Sequence, residues 1–192
     1  PVGNGGIGQW TREMATGLAA RGHEITVICR SEADYPYVDF VDGVWVHRIE
    51  VRPADPAQAE REDVPLSLLN YSASAVAEIR RIQARRQFQL VCGPLFDLEP
   101  LAALRDLDIP TVVSLQTTYK LALPHKPDWL GNAWYRKSHV DKVIEKEGEL
   151  LATAPFLLAN TPALVADLEA NYGVALTPDR TMIIPHGVED LS

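Results

Sequence analysis

The chain is predicted to fold as a doubly wound α/β domain, a mainly parallel sheet with helices on both faces. Three observations point there. Short apolar runs alternate with helical patterns, the order of βαβ units. The run Ile25–Cys29 is apolar except for Thr26, as expected of a strand covered on both faces. At 192 residues, 46% hydrophobic and 23% charged, the chain is long enough for one domain with a sizeable core.

The elements follow in order. Ile7, Trp10, Met14 and Leu18 recur at helical spacing, with Arg12 and Glu13 on the other face, and Gly22 closes the helix as its C′ residue. Strand Ile25–Cys29 comes next. Val44–Val51 alternates apolar and polar side chains, which places it nearer a sheet edge. Pro53–Pro65 is polar and alanine-rich and reads as a loop. Leu66 to Arg86 reads as a long helix with Leu69, Val76, Ile79 and Ile82 inward. Arg80, Arg81, Arg85 and Arg86 gather in its last turns, where positive charge suits the helix dipole. A strand at Gln89–Cys92, a helix at Glu99–Leu107 and a strand at Thr111–Gln116 follow. Residues 118–136 form an insertion bearing proline and tryptophan, and a helix at Lys137–Thr153 leads to strand Phe156–Ala159. Thr161-Pro162 caps a helix that Gly173 ends, and Thr181–Pro185 is the last strand.

Ligands of such sheets bind beyond the carboxyl ends of the strands. That rule selects the glycine-rich start of the chain, Gly93-Pro94, Gln116–Lys120, Asn160-Thr161 and His186-Gly187. The first of these is the richest in chemistry. Gly3-Asn4-Gly5-Gly6-Ile7-Gly8 feeds directly into a helix, so free backbone N–H groups and the positive end of the dipole meet at one point. Glycine lets a ligand approach the backbone where a Cβ would not. A phosphate or another anion is the expected guest.

Composition excludes several classes. A net charge of −8 argues against general affinity for nucleic acid. No apolar run approaches the roughly 20 residues of a membrane span. Cys29 and Cys92 sit in apolar runs without metal-ligand neighbours and read as reduced core residues, consistent with a cytoplasmic location. The five histidines show no metal-ligand pairing, so no metal is expected, and there is no G-x-S-x-G nucleophile elbow. Gly3, Gly5 and Gly8 satisfy G-x-G-x-x-G, and Arg30, directly after strand Ile25–Cys29, could take a 2′-phosphate. These residues would also suit an NADP-dependent reductase.

Two further features stand out. Glu147 falls on the apolar stripe of Val140, Val143, Ile144, Leu150 and Leu151, so its carboxylate must find hydrogen bonds or line a polar cleft. The segment 119–146 carries six cations against three acids, with Trp129, Trp134 and Tyr135 among them. Tyr119, Lys120, Lys126 and Trp129 are its candidate contacts for an anionic acceptor, and the same patch suits peripheral contact with the inner face of a membrane.

Together the motifs resemble the N-terminal domain of a family-4 retaining glycosyltransferase of the two-domain GT-B fold. Gly5-Gly6-Ile7, then Leu18 to Ile28, is similar to that family's opening; Asp108 to Thr117 resembles its central strand. Glu147 through Thr161, and Ile184 to Glu189, match in order and spacing. The resemblance implies one Rossmann-like, acceptor-side domain over 1–192, with its first strand truncated and a C-terminal donor-binding domain outside the chain. It implies sugar transfer from a nucleotide-diphosphate-sugar donor to an unknown acceptor, without a cofactor. It puts Gly5 and Gly6 at the donor diphosphate or acceptor, and Gln116, Thr117, His186 and Gly187 along the sugar-facing cleft. The main catalytic groups are expected in the other domain, leaving the isolated chain inactive. Gln116 stands where many relatives have histidine, and an amide can hold a hydroxyl but cannot exchange a proton near neutral pH. Glu189 replaces the usual aspartate. A nucleotide-sugar epimerase would share this two-domain look, and a non-catalytic sugar-nucleotide-binding module would keep the fold without the chemistry.

Overall fold

The computed structural model describes residues 5–33 and 35–187. Gly3, Glu189 and the truncated first strand expected at the start of the chain lie outside the described residues. Helix α1 (Gly6–Ala20) ends as the sequence predicts: Gly22 adopts φ +89°, its N–H donates to the Ala19 carbonyl, and that of His23 donates to Leu18. This reciprocal pair satisfies the last carbonyls and turns the chain into β1 (Ile25–Arg30).

Seven strands form two sheets among the described residues. One has the order β1-β3-β2, where β3 (Val44–Ile49) runs parallel to β1, and β2 (Tyr37–Val41) runs antiparallel to β3. The other is wholly parallel: β4 (Val91–Pro94), β5 (Thr111–Leu115), β6 (Phe156–Ala159) and β7 (Thr181–Ile183), in that order. Helices α2 (Pro56–Glu62) and α3 (Leu66–Gln83) connect the two sheets in sequence. Helices α4 (Leu101–Asp106), α8 (Asp141–Thr153) and α9 (Pro162–Tyr172) separate the strands of the parallel one.

Several expectations need correction. Val44–Ile49 is the middle strand of its sheet; the edge is β2, which reaches it through a turn with Asp42 at φ +51° and Gly43 at φ +80°. Residues 53–65 are not all loop, because Asp55 accepts from the Ala57 N–H and starts α2 with Pro56 in its first turn. Strand β4 lies two residues later than expected, aligned by Val91 opposite Thr111. The helix expected at Glu99 begins at Leu101, after a short 3-10 turn at Phe96–Leu98. No residue of β1 is fully buried, Cys29 is half-buried, and Cys92 is exposed rather than in the core.

The core lies against the parallel sheet. Val113 and Leu115 of β5 and Leu157 and Ala159 of β6 pack with Val140, Val143 and Leu151 from the helix above them, and with Leu69 of α3 and Leu168 of α9. The insertion folds into α5 (Tyr119–Ala122), α6 (Pro127–Gly131) and α7 (Ala133–Tyr135); a turn of π-helix at Arg136–Val140 then joins α8.

Candidate functional site

Because β4 to β7 are all parallel, the segments leaving their carboxyl ends emerge on one rim: Leu95, Gln116, Asn160 and Ile184. The N terminus of α1 joins it at the far end. The Trp10 ring of α1 lies 6.1 Å from that of His186, so the glycine start and the exit from β7 are neighbours. A Cβ placed at Gly5 or Gly6 would meet nothing within 4 Å, and both residues are exposed. Gly5 is the N-cap and brings no side-chain acceptor, and no acidic residue occupies the first turn. The amides at this end therefore have no partner from their own helix.

Gln116 is half-buried and Thr117 exposed where the chain leaves β5. The Gln116 amide reaches back to the Ser114 hydroxyl at 3.5 Å, so it is held only loosely. His186 and Gly187 are exposed. Thr118 is buried and caps α5, accepting from the Leu121 N–H at 3.2 Å.

The structure separates the candidate acceptor patch. Tyr119 points inward: it is buried, and its hydroxyl donates to Asp97 at 2.6 Å. Trp129 stacks on it, ring centroids 4.6 Å apart, and the Lys126 ammonium lies over Trp129. Lys120 donates to the Asn171 carbonyl and crosses the Tyr172 ring. Lys142 pairs with Asp63, Lys146 with Glu149 and Arg136 with Asp141. Much of the positive charge in 119–146 is thus met within the chain.

Glu147 is wholly buried. It accepts from the Tyr119 N–H at 2.8 Å and from the Tyr172 hydroxyl at 2.6 Å. Burial pushes its carboxyl up to about 7, against the pull of these donors and the Lys120 amide. Periodicity locates Glu147 in the sequence, but Tyr172 comes from α9, and no sequence pattern joins the two.

Two functional candidates carry no signal in the sequence. Asp97 adopts φ +57° and Leu98 φ +54°, an uncommon pair for non-glycine residues, and this turn aims the Asp97 carboxylate at Tyr119. Glu99 follows, and burial, with the nearby Asp97 charge, raises it to about 7 while Arg30 opposes the shift. The Arg30 guanidinium lies over the Tyr71 ring, 5.0 Å from its centroid, and Tyr71 donates to the Ile28 carbonyl. At the carboxyl ends of β1 and β3 there is a polar cavity of about 400 Å³, lined by Arg30, Ser31, Ala33, Ile49, Glu50 and Val51. Among the described residues no cluster of His, Cys, Asp and Glu could hold a metal, and no helix is long and apolar enough to cross a membrane.

A parallel sheet whose strands leave their carboxyl ends on one rim, with a glycine helix start beside it, is the arrangement of an α/β domain with a strand-end crevice. The chain belongs to glycosyltransferase family 4, whose model matches residues 4–190. It is 28% identical to a D-inositol 3-phosphate glycosyltransferase of Arthrobacter sp. (strain FB24) over 96% of its length and 42% of the relative's. It is 30% identical to the protein of that name in Kineococcus radiotolerans, over 96% of this chain and 41% of that one. The chain thus spans less than half the length of these relatives. Among solved structures, sucrose-phosphate synthase from Thermosynechococcus elongatus superimposes with a TM-score of 0.66 at 14% identity, covering 96% of this chain and 43% of that one. That likeness supports the GT-B type of α/β fold.

Proposed function

We propose that this chain is the acceptor-side half of a sugar transferase. In this reading the parent protein moves a sugar from a nucleotide-diphosphate-sugar donor to an acceptor, with retention of anomeric configuration. The observation that carries it is the N terminus of α1, where Gly5 and Gly6 face open space and Trp10, about one turn further on, lies against His186. Retaining transfer depends on stabilising a departing diphosphate, and amides fixed at a helix start do so without reorganising during the reaction. Gln116 and Thr117 hydrogen-bond sugar hydroxyls, and Gln116 takes no part in proton transfer. His186 and Gly187 complete the cleft at its other end. A second domain, with the groups that hold most of the donor, closes over this rim and excludes water. No metal or cofactor is required in this scheme.

The test is a donor screen on the full-length parent, read by thermal stabilisation and by product mass. A nucleotide-diphosphate sugar should raise the melting temperature and yield a glycosylated product. Gly6→Val, which fills space the structure leaves open, should abolish the stabilisation while leaving the fold intact. Failure of every such donor to bind would end the proposal. Stabilisation with no product from any acceptor would favour a binding module, the second reading that Gln116 at this position supports.

A further inference from the structure

We propose that Glu147 is the positioning residue of this rim: from beneath, its buried carboxylate holds the turn that presents Gln116 and Thr117 to the cleft. The inference rests on the rim being the ligand site proposed above. Its geometry is a short bridge held at both ends. Leu115 is the last residue of β5 and is buried, and Thr118 and Tyr119 are buried where α5 begins. Only Gln116 and Thr117 lie between. Their path is therefore set by where Tyr119 is held, and Glu147 holds it, 28 residues away on α8, through the Tyr119 N–H at 2.8 and 3.1 Å. Thr118 meets the next free amide of that turn, Leu121, so the start of α5 is satisfied partly by a distant helix.

The carboxylate is held in turn. Tyr172 donates to it at 2.6 Å. Tyr172 comes this close because residue 148 is glycine: a Cβ there would stand 3.3 Å from its ring. The groups facing Glu147 are the Tyr119 and Lys120 amides from α5, the Tyr172 hydroxyl from α9, and the Asp97 charge across the Tyr119 ring. The Lys120 ammonium is turned away onto the Asn171 carbonyl and the Tyr172 ring, so it does not neutralise the carboxylate by direct contact. Burial outweighs the donors and carries its ionisation to about pH 7. A hydrogen bond to a carboxylate is stronger than one to a neutral acid, so the grip on the turn changes across that range.

The experiment is amide NMR on the full chain, comparing wild type with Glu147→Gln and Gly148→Ala between pH 5.5 and 8.5. In wild type the Tyr119 and Lys120 amide resonances should titrate together with a midpoint near 7, and those of Gln116 and Thr117 should move with them. Glu147→Gln should abolish that titration and shift the 116–121 resonances, while β6 resonances stay in place. Gly148→Ala, which displaces Tyr172, should keep the titration and move its midpoint. The proposal is overturned if Glu147→Gln leaves the Tyr119, Gln116 and Thr117 resonances where wild type has them at pH 8.5. It is equally overturned if Glu147→Gln perturbs the core evenly and leaves Gln116 and Thr117 unmoved. Neither readout needs a sugar donor, so failure of the transferase reading would leave this result interpretable.

Discussion

Glu78 and Glu147 are both helical glutamates, and their surroundings drive them in opposite directions. Glu78 accepts from Arg81 at 2.6 and 2.7 Å and lies 2.6 Å from His47, and the Arg81 hydrogen bonds lower its carboxyl to about 2. Glu147 is lifted to about 7 by burial, and Glu99 likewise. The signs of their pH effects therefore differ. Between about pH 4.5 and 7 the folded chain keeps a proton on Glu147 that the unfolded chain has released, so stability falls as pH rises through that window. The slope is about 1.4 kcal/mol per pH unit for one such group. Glu78 contributes stability that is present above its unfolded value and lost as pH falls toward 2. Urea denaturation at pH 5, 6 and 7 should show declining midpoints that level off by pH 8, and Glu147→Gln should flatten part of the decline. Glu147→Ala should cost about 3 kcal/mol at pH 7, because it leaves the Tyr119 N–H and the Tyr172 hydroxyl without an acceptor.

At the scale of elements, caps and turns are the most legible features, because their chemistry is local. Thr161 accepts from the Leu164 N–H at 3.0 Å and Gly173 ends α9 at φ +66°, as their residue types imply. Thr161→Ala should lower stability by about 1 kcal/mol, read from a shifted urea midpoint. The hairpin that pairs β2 with β3 through Asp42-Gly43 is not among the elements expected from the sequence, although Asp-Gly is a pair that such turns favour. Gly43→Ala should cost about 1–2 kcal/mol, since it forces a positive φ on alanine and brings its Cβ to 3.3 Å from that of Ala19. Helix α2 is hidden for a different reason. Seven residues beginning at a proline are too few to show a period, and Asp55 with Pro56 is its readable start. The register of β4 is not legible at all, because the pairing with β5 sets it, and neighbouring apolar residues offer two frames.

For the whole molecule, α3 bridges the two sheets. Its Tyr71 hydroxyl donates to Ile28 of β1, and its Ser72 donates to the Glu99 carbonyl and accepts from the Ala102 N–H beside β4. Leu69, fully buried, anchors it in the main core. Leu69→Ala should therefore cost about 2–5 kcal/mol by the cavity it leaves, measured by thermal or urea unfolding. The Arg30 charge opposes the upward shift of Glu99 because α3 and the turn before α4 hold β1 and β4 near one another. The outer strand β7 presents Met182 at 63% and Ile184 beside it at 48% exposure, an apolar edge on the side where the chain runs toward His186.

The strand and helix alternation, the glycine start of α1 and the anomalous Glu147 were determined by the amino-acid order alone, because period, backbone freedom and the cost of burying charge are properties of short segments. Which groups answer that charge was decided by the tertiary structure. Tyr119 and Tyr172 reach Glu147 from elements 28 and 25 residues away, and Asp97 reaches Tyr119 through a left-handed turn. Such meetings depend on the packing of helices against a sheet, where a side chain's partner is set by three-dimensional neighbours and not by sequence distance.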